Sequence, residues 1–155
     1  MIRKAITADI PALNNLLEQV LQVHAQGRPD IFKSSGAKYS NEKLQDILKN
    51  PNTPIFVAED TNGQVVGYAF CQYRAIKDSA FIRDVKYCYL DDLCVDINHR
   101  AQGIGTQLYN YVKEQALKDG YPSVRLNVWC LNGTAIRFYE KLGLTPLSMI
   151  MEQKL

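Results

Sequence analysis

Two adjacent carboxylates interrupt an otherwise apolar and aromatic segment. Asp91 and Asp92 lie within residues 85–95, VKYCYLDDLCV, which has the composition of a strand. Burying a carboxylate without a partner costs several kcal/mol, so we expect a cationic partner, with a solvated edge or a structural salt bridge as the alternative. Alternation along a strand predicts Asp91 on one face with Tyr89 and Asp92 on the other, unless a bulge brings the two acids together.

A glycine-rich turn follows these acids. In residues 100–106, RAQGIGT, Gly103 and Gly105 allow a ligand to approach the backbone closely. The first amides of the next helix have no partners within it, and the helix dipole places partial positive charge there. Such an end binds phosphate, and Arg100 adds a full charge beside it. The turn therefore predicts a phosphate site, although a tight connection between strand and helix would also explain both glycines.

Spacing excludes two common phosphate-binding motifs at this turn. A dinucleotide fingerprint requires a third small residue three positions after Gly105, where Leu108 stands. A Walker-type loop requires Gly-Lys followed by Ser or Thr, whereas Gly103 is followed by Ile-Gly-Thr. The phosphate ligand is therefore bound by another kind of turn.

Periodicity and turn signals predict the elements that position these residues. Helices are expected from Ile10, after Ser40, after Gly105 and from Thr134, and Asn62-Gly63 marks a hairpin. Strands are expected at residues 2–6, 55–59, 64–74, 85–95, 124–129 and 147–154. This order indicates one α/β (α+β) domain over residues 1–155, with a mixed sheet flanked by helices.

Two motifs resemble those of one enzyme superfamily. The Arg-x-x-Gly-x-Gly spacing directly after a strand resembles the acetyl-coenzyme A signature of the GCN5-related N-acetyltransferase (GNAT) superfamily. Residues 132–143, NGTAIRFYEKLG, are similar to its second motif, N-x-x-A-x-x-F-Y-x-K-x-G. The resemblance implies the GNAT fold: a mixed, mostly antiparallel sheet of six to seven strands, about four helices and a splayed central strand pair.

The resemblance also implies acetyl-CoA as co-substrate. Arg100 and the amides of the turn would bind its pyrophosphate, and the strand before the turn would pair with the pantetheine arm and polarise the thioester. Many members have glycine in place of Ala101, and we expect that position to need only an amide. The implied cofactor-binding residues are Leu93, Cys94, Val95, Arg100, Ala101, Gln102, Gly103, Ile104, Gly105, Thr106, Asn132 and Tyr139.

Two residues of this sequence match catalytic positions of the superfamily. Tyr139 matches the general acid, and a phenol with a pKa of ~10 can protonate a leaving thiolate of pKa ~8.5. Packing of Phe138 and Tyr139 in the core is the alternative. Asp91 matches the base or amine-binding acid of several members, and Tyr89 would assist it through a water.

The acceptor implied by the resemblance is a small cationic primary amine. Residues 90–93, LDDL, are similar to a Leu-Glu-Asp stretch of diamine and polyamine acetyltransferases, and lysine-like amines or aminoglycosides are alternatives. The implied substrate-binding residues are Tyr89, Asp91, Asp92, Arg28, Phe32 and Tyr73, with Asp30 and Tyr39 nearby. Three other functions stay open: a catalytically silent acyl-CoA-sensing domain, a protein (N-terminal or lysine) acetyltransferase, and an unrelated nucleotide-binding regulator.

Composition and charge indicate which classes of partner the protein binds and in which cellular compartment it is expected. Eighteen Lys and Arg stand against 16 Asp and Glu, a net charge of +2 without basic runs, so we expect neither nucleic-acid nor membrane binding. No apolar stretch approaches the ~18 residues of a membrane span, and no signal peptide is apparent, so we expect a cytoplasmic protein. The four cysteines and two histidines lack metal-ligand spacing, which predicts no metal and reduced, buried thiols, Cys94 and Cys130 included. Members of the superfamily are often dimers, so a homodimer is one assembly that the resemblance implies.

Overall fold

A five-stranded mixed sheet with helices on both faces forms the architecture of the computed structural model, which describes residues 1–155. The strands are β1 (Ile2–Lys4), β2 (Ile55–Glu59), β3 (Val65–Ile76), β4 (Val85–Val95) and β5 (Val124–Leu126). The helices are α1 (Ile10–Gly27), α2 (Asn41–Lys49), α3 (Ile104–Lys118) and α4 (Gly133–Lys141), and two 3₁₀ turns cover Thr7–Asp9 and Ile97–His99. The strands follow chain order across the sheet, and only β4 and β5 are parallel.

Polar caps and one glycine set the ends of these elements as predicted. The Ser40 hydroxyl accepts a hydrogen bond from the Lys43 amide at 3.1 Å and caps α2. The Asn132 side chain accepts one from the Ala135 amide at 3.1 Å and caps α4. Gly63 has a φ of +77° in the turn between β2 and β3, a conformation that favours glycine.

Apolar side chains form one core on each side of the sheet. On the α1 face, α1 and α2 bury Leu13, Leu44 and their neighbours against Val57 and Tyr68. On the α3 face, Leu108 and Val112 of α3 pack against Ala69, Cys71, Cys88 and Leu90. The sheet is therefore covered on both faces, and β4 contributes side chains to both cores.

The central strand pair is splayed, as the resemblance implies. β4 pairs with β5 only from Cys88 to Leu90, opposite Val124 to Leu126. Beyond Leu90, the backbone of β4 has no strand neighbour on that side, although β3 continues to pair with it on the other side. The edge of residues 91–95 is therefore free to bind an extended ligand.

A bulge interrupts the ladder between β3 and β4 at Asp91. Phe70 pairs with Asp92 and Cys71 pairs with Leu90, so Asp91 has no partner in β3. Strict alternation therefore does not hold here, and the bulge that the sequence analysis gave as the condition for bringing the two acids together is present, because one extra residue reverses the alternation from that point.

The bulge changes which residues share a face. Asp92 and Cys94 contact groups on the α1 face, whereas Leu93 and Val95 pack with the α3 face. Asp91 also lies on the α1 face, where it contacts the segment between α1 and α2. Both carboxylates therefore approach the same region.

The sheet has fewer strands than predicted. β5 ends at Leu126 rather than at residue 129, and residues 145–155 form no strand. The prediction of a sixth strand over residues 147–154 is wrong for the single chain, because no backbone hydrogen bond joins that segment to any other. Its apolar side chains remain exposed.

Candidate active site

The turn between β4 and α3 presents a row of backbone amides without helical partners. The first helical hydrogen bond of α3 runs from the Gln107 amide to the Gly103 carbonyl at 3.0 Å, so the amides of residues 102–106 precede the ladder. Gly103 has a φ of +77°, which turns the chain into the helix. Arg100 stands at the start of the turn, with its Nε 3.3 Å from the Val95 carbonyl oxygen. These donors and the positive helix end fit a pyrophosphate.

Two small residues of this turn have structural roles that the sequence did not reveal. Ala101 has a φ of +61°, a strained conformation for a residue with a Cβ, so the position prefers glycine and needs more than an amide. A Cβ on Gly105 would lie 3.3 Å from Phe138 Cζ and 3.7 Å from Val95 Cγ2. Gly105 therefore allows α4 to pack against α3 rather than only admitting a ligand.

Asp91 is paired within the chain. Its Oδ2 accepts hydrogen bonds from the Lys38 ammonium at 2.9 Å and from the Tyr39 hydroxyl at 3.0 Å. Lys38 and Tyr39 belong to the irregular segment between α1 and α2, residues 28–40. The cation expected beside Asp91 is therefore supplied by the protein itself.

Asp92 has no cation within hydrogen-bond distance. Its Oδ2 accepts one hydrogen bond, from the buried Tyr68 hydroxyl at 2.8 Å. Burial raises the pKa of Asp92 above its usual range, although the positive charge of Lys38 and the Tyr68 hydrogen bond oppose that shift. A carboxylate with a raised pKa is a stronger base than an ordinary aspartate.

Tyr139 is a half-buried phenol on α4. Its ring lies edge-on to Tyr109, with centroids 6.4 Å apart, on the side of the sheet where α4 and α3 meet. Burial, together with the negative charge of Asp92, raises the pKa of Tyr139 above that of an ordinary phenol. The phenol therefore stays protonated at neutral pH, which is the form that a general acid requires.

Three aromatic rings, those of His24, Phe32 and Trp129, pack against one another. The Phe32 ring stacks on His24 at 4.8 Å and meets Trp129 edge-on at 5.0 Å. Burial lowers the pKa of His24, although the charge of Asp92 opposes this shift, so the imidazole is neutral at physiological pH. Phe32 was predicted, whereas His24 and Trp129 were missed. The available signal was a polar ring on the apolar stripe of α1.

Tyr73 does not belong with this group. Its hydroxyl donates to Asp119 Oδ2 at 2.7 Å, and its ring stacks on Tyr121 at 4.2 Å, on the α3 face of the sheet. Tyr73 is predicted as an acceptor-site residue, and the structure places its side chain on the α3 face, whereas both carboxylates contact groups on the α1 face.

Two other predicted substrate-binding residues, Arg28 and Tyr89, have no contact with Asp91 or Asp92. Arg28 forms a two-pronged ion pair with Asp30 at 2.8 Å, just beyond the end of α1. Tyr89 lies on β4 two residues before Asp91, and the Arg74 guanidinium stacks over its ring at 3.9 Å. Both residues have partners outside the acid pair.

The thiols differ from one another in exposure. Cys94 is buried with its Sγ 3.7 Å from the Leu16 carbonyl oxygen, and burial raises its pKa to about 12, so it stays a thiol. Cys130 is exposed, which contradicts the prediction of a buried thiol, because it follows the short strand β5 in a turn.

The structure contains no cluster of three or more His, Cys, Asp or Glu residues arranged to hold a metal ion. No helix has both the length and the apolar character of a membrane span.

Comparison with known proteins agrees with this geometry. The model of the acetyltransferase (GNAT) family matches residues 17–144. This chain belongs to the GNAT family. The GNAT chain is 37% identical to the thialysine N-epsilon-acetyltransferase of Mus musculus over 124 residues, which cover 74% of this chain and 70% of that protein. It is also 35% identical over 106 residues to an uncharacterized N-acetyltransferase of Methanocaldococcus jannaschii, covering 68% of this chain and 45% of that longer protein.

Solved structures share the GNAT fold. A mutant of the BH1408 protein from Bacillus halodurans superposes with a TM-score of 0.96 at 25% identity, covering 100% of this chain and 99% of that one. An aminoglycoside acetyltransferase from an uncultured soil metagenomic sample, solved with sisomicin, gives a TM-score of 0.72 at 19% identity, with 100% and 94% covered. Membership of the GNAT family supports an acyltransferase activity and implies acetyl-CoA as the co-substrate.

Proposed function

We propose that this protein is an N-acetyltransferase that transfers the acetyl group of acetyl-CoA directly to a primary amine. The observation that carries the proposal is the free backbone edge of β4 beyond Leu90, which leads into the row of amides without helical partners at residues 102–106. Asp92 would supply a base for the amine, and Tyr139 would supply an acid for the leaving thiolate.

Acetyl-CoA would bind along β4 and the turn that follows it. The amides of residues 102–106 and the Arg100 guanidinium would bind the pyrophosphate. The free backbone edge of residues 93–95 would pair with the amides of the pantetheine arm. Asn132, which already caps α4, would contact the same arm.

Two proton transfers would accompany the reaction, one from the acceptor ammonium to Asp92 and one from Tyr139 to the leaving thiolate. The Asp92 carboxylate accepts the proton of the acceptor ammonium, and the free amine attacks the thioester carbonyl. A backbone amide of β4 stabilises the oxyanion. The C–S bond then breaks and the Tyr139 hydroxyl protonates the thiolate. The second proton of the attacking nitrogen restores the Tyr139 hydroxyl, and Asp92 releases its proton to solvent. The products are an acetamide and CoA.

Asp91 would bind the acceptor rather than deprotonate it. Lys38 shows that an ammonium fits at 2.9 Å from Asp91 Oδ2. An acceptor with a second cationic group would displace Lys38 there while its reacting amine reaches Asp92. The names of the mouse and metagenomic proteins, which refer to thialysine and to aminoglycosides, support a small cationic acceptor here.

Thiol release from acetyl-CoA tests the proposal with a panel of polyamines, lysine-like amines, aminoglycosides and neutral amines. We expect release with one of the cationic classes, and Tyr139→Phe to lower kcat by ~10²-fold at an unchanged KM for acetyl-CoA. Tyr109→Phe is the matched control, because it removes a hydroxyl from the neighbouring ring.

Two results would contradict the proposal. CoA binding without acetylation of any amine would indicate a silent acyl-CoA-binding domain. Equal losses in Tyr139→Phe and Tyr109→Phe would indicate that Tyr139 acts only in packing.

A further inference from the structure

The stretch of β4 before the bulge presents two tyrosines on the face that carries the acids. The side chains at positions 88 and 90 pack in the core on the α3 face, so Tyr87 and Tyr89 point to the α1 face. Asp91 follows on that same face, where it contacts Lys38 and Tyr39. Tyr87, Tyr89 and Asp91 therefore form one row, in which neighbours lie roughly 7 Å apart.

An arginine from each neighbouring strand covers this row. Arg74 of β3 lies opposite Tyr87, and Arg125 of β5 lies opposite Tyr89. The Arg74 guanidinium nevertheless lies over the Tyr89 ring, 3.9 Å from its centroid. The Arg125 guanidinium lies over the Tyr87 ring, 4.3 Å from its centroid. The Arg74 side chain therefore leans along the sheet toward Asp91, whereas that of Arg125 leans away from it.

Neither of these guanidinium groups has an anionic partner in the chain. No ion pair includes Arg74 or Arg125. Arg74 donates from Nε and Nη2 to the neutral Gln72 Oε1, at 3.1 and 2.6 Å, which leaves its Nη1 without a hydrogen bond. Both side chains are half-buried, and burying a cation without a counter-ion is unfavourable because part of its hydration is lost. An anion from outside the chain would remove that cost.

The α1 face of β4 therefore presents a cation next to two carboxylates. A guanidinium binds a carboxylate through paired, charge-assisted hydrogen bonds. An α-amino acid with a primary amine at the end of its side chain has the matching groups: a carboxylate for Arg74, an α-ammonium for Asp91 and a side-chain amine for Asp92. In a chain of lysine length, the carboxylate and the side-chain amine lie up to roughly 7 Å apart, which is one step along the row.

We propose that Arg74 binds a carboxylate of the acceptor, so that the acceptor is a diamino acid. This inference rests on the proposed function, because it names the acceptor class of that same site. Tyr89 and Gln72 hold the guanidinium in place before the acceptor arrives, so little side-chain freedom is lost on binding. A polyamine or an aminoglycoside carries only cationic groups and would leave Arg74 unpaired.

Matched acceptors test the inference. Lysine, lysine amide and the diamine obtained by removing the carboxylate of lysine share one side-chain amine, but only lysine carries the anion. We expect kcat/KM in the thiol-release assay to be ~10-fold or more higher for lysine than for the other two. Arg74→Gln should lower kcat/KM for lysine by ~10-fold or more through KM, and leave the diamine and the KM for acetyl-CoA unchanged.

Arg125→Gln is the matched control. It removes an equal charge from the same face, but its guanidinium lies over Tyr87, one step farther from Asp91. We expect this variant to change kcat/KM for lysine by less than ~5-fold, the range of a charge that acts without direct contact. Ornithine and its own decarboxylated diamine repeat the comparison with a chain one methylene shorter.

Several results would overturn the inference and leave the proposed acetyltransferase activity intact. These are equal kcat/KM values for the amino acids and their diamines, a loss in Arg74→Gln that the diamine shares, and equal losses in Arg74→Gln and Arg125→Gln. Transfer to polyamines or aminoglycosides but to neither amino acid is a fourth. Absence of thiol release with every amine would contradict the proposed function itself, and this inference with it. Should Arg74→Gln not fold, the wild-type ratio of lysine to lysine amide decides alone.

Discussion

The glycine turn and the acid bulge lie at one end of β4, yet they present ligand-binding groups in different ways. The turn offers backbone amides, whose directions follow from the start of α3 and from the positive φ of Gly103. The bulge presents two carboxylates. They lie on the same face of the sheet because Asp91 has no pairing partner in β3. The first site is built from consecutive residues, whereas the second needs Lys38, Tyr39 and Tyr68 from distant segments.

This difference predicts how each site responds to substitution. Backbone amides survive side-chain changes, so the phosphate site should lose affinity gradually as charges are removed. A buried carboxylate depends on every group around it, so removing its charge should abolish the step that it performs. Substitutions in the two regions should therefore differ in size and in the parameter that they alter.

The largest effect is expected for Asp92→Asn, which keeps the shape and the Tyr68 hydrogen bond but removes the proposed base. We expect kcat/KM for the amine to fall by ~10³-fold, within the range of general-base catalysis. The wild-type acidic limb of the pH–rate profile should lie above that of an ordinary carboxylate, because burial raises the pKa of Asp92. That limb should be absent from the variant.

Stability provides an independent measurement on the same variant. Because the folded pKa of Asp92 is raised, the native state holds this proton more tightly than the unfolded chain, for which the pKa is ~3.9. Stability from this group is present at low pH and is lost as pH rises through the folded pKa. Asp92→Asn should therefore gain about 1 kcal/mol in urea unfolding at pH 7 and little at pH 3. Destabilisation at pH 7 would show that the charge of Asp92 is well compensated.

A smaller effect is expected at the glycine turn. There Arg100→Gln removes one positive charge, while the backbone amides of residues 102–106 remain in place. The Kd for CoA should rise by ~10-fold at low salt and by less at high salt, where the charge is screened. Arg83→Gln, in the connection between β3 and β4, removes an equal charge away from the turn and should leave the Kd unchanged. Equal effects of the two variants would argue against the pyrophosphate assignment.

The cofactor end could be predicted from sequence because its signals are local. Gly103, Arg100 and the caps Ser40 and Asn132 act within a few residues of their own positions, and the structure shows the turn and the caps as predicted. The strain at Ala101 escaped prediction, because a positive φ at a residue other than glycine leaves no mark in the sequence.

The acceptor end could be predicted only in part, because register decides it. Strict alternation separates Asp91 from Asp92, and no residue type announces the bulge that unites them. Lys38 reaches Asp91 from a segment without periodicity, so no spacing rule connects them. Residues 147–154 show the same limit, since their apolar alternation predicts a strand and the structure has none there.

Lys38→Ala sharpens the comparison at the acceptor end by removing the internal competitor for Asp91. The pair is partly exposed and is worth at most about 1 kcal/mol, so KM for a cationic amine should fall by up to ~5-fold while KM for acetyl-CoA holds. Lys33→Ala, in the same irregular segment and without an ion pair, is the control. A higher KM in Lys38→Ala would mean that Lys38 helps to bind the acceptor instead of competing with it.

The smallest effect is expected for Ala101→Gly, which separates strain from binding at the turn. Ala101 holds a φ of +61°, which glycine adopts without a Cβ penalty of ~1–2 kcal/mol. The greater freedom of glycine in the unfolded chain offsets part of that gain, so unfolding free energy should rise by only ~0.5 kcal/mol. Ala37→Gly is the control, because Ala37 is also exposed but lacks a positive φ, and it should lose stability slightly. The Kd for CoA should not change in Ala101→Gly, since the amide remains in place. A tighter Kd would show that the strained turn of the wild type presents its amides poorly, and a loss of stability would show that the left-handed conformation at residue 101 is not strained.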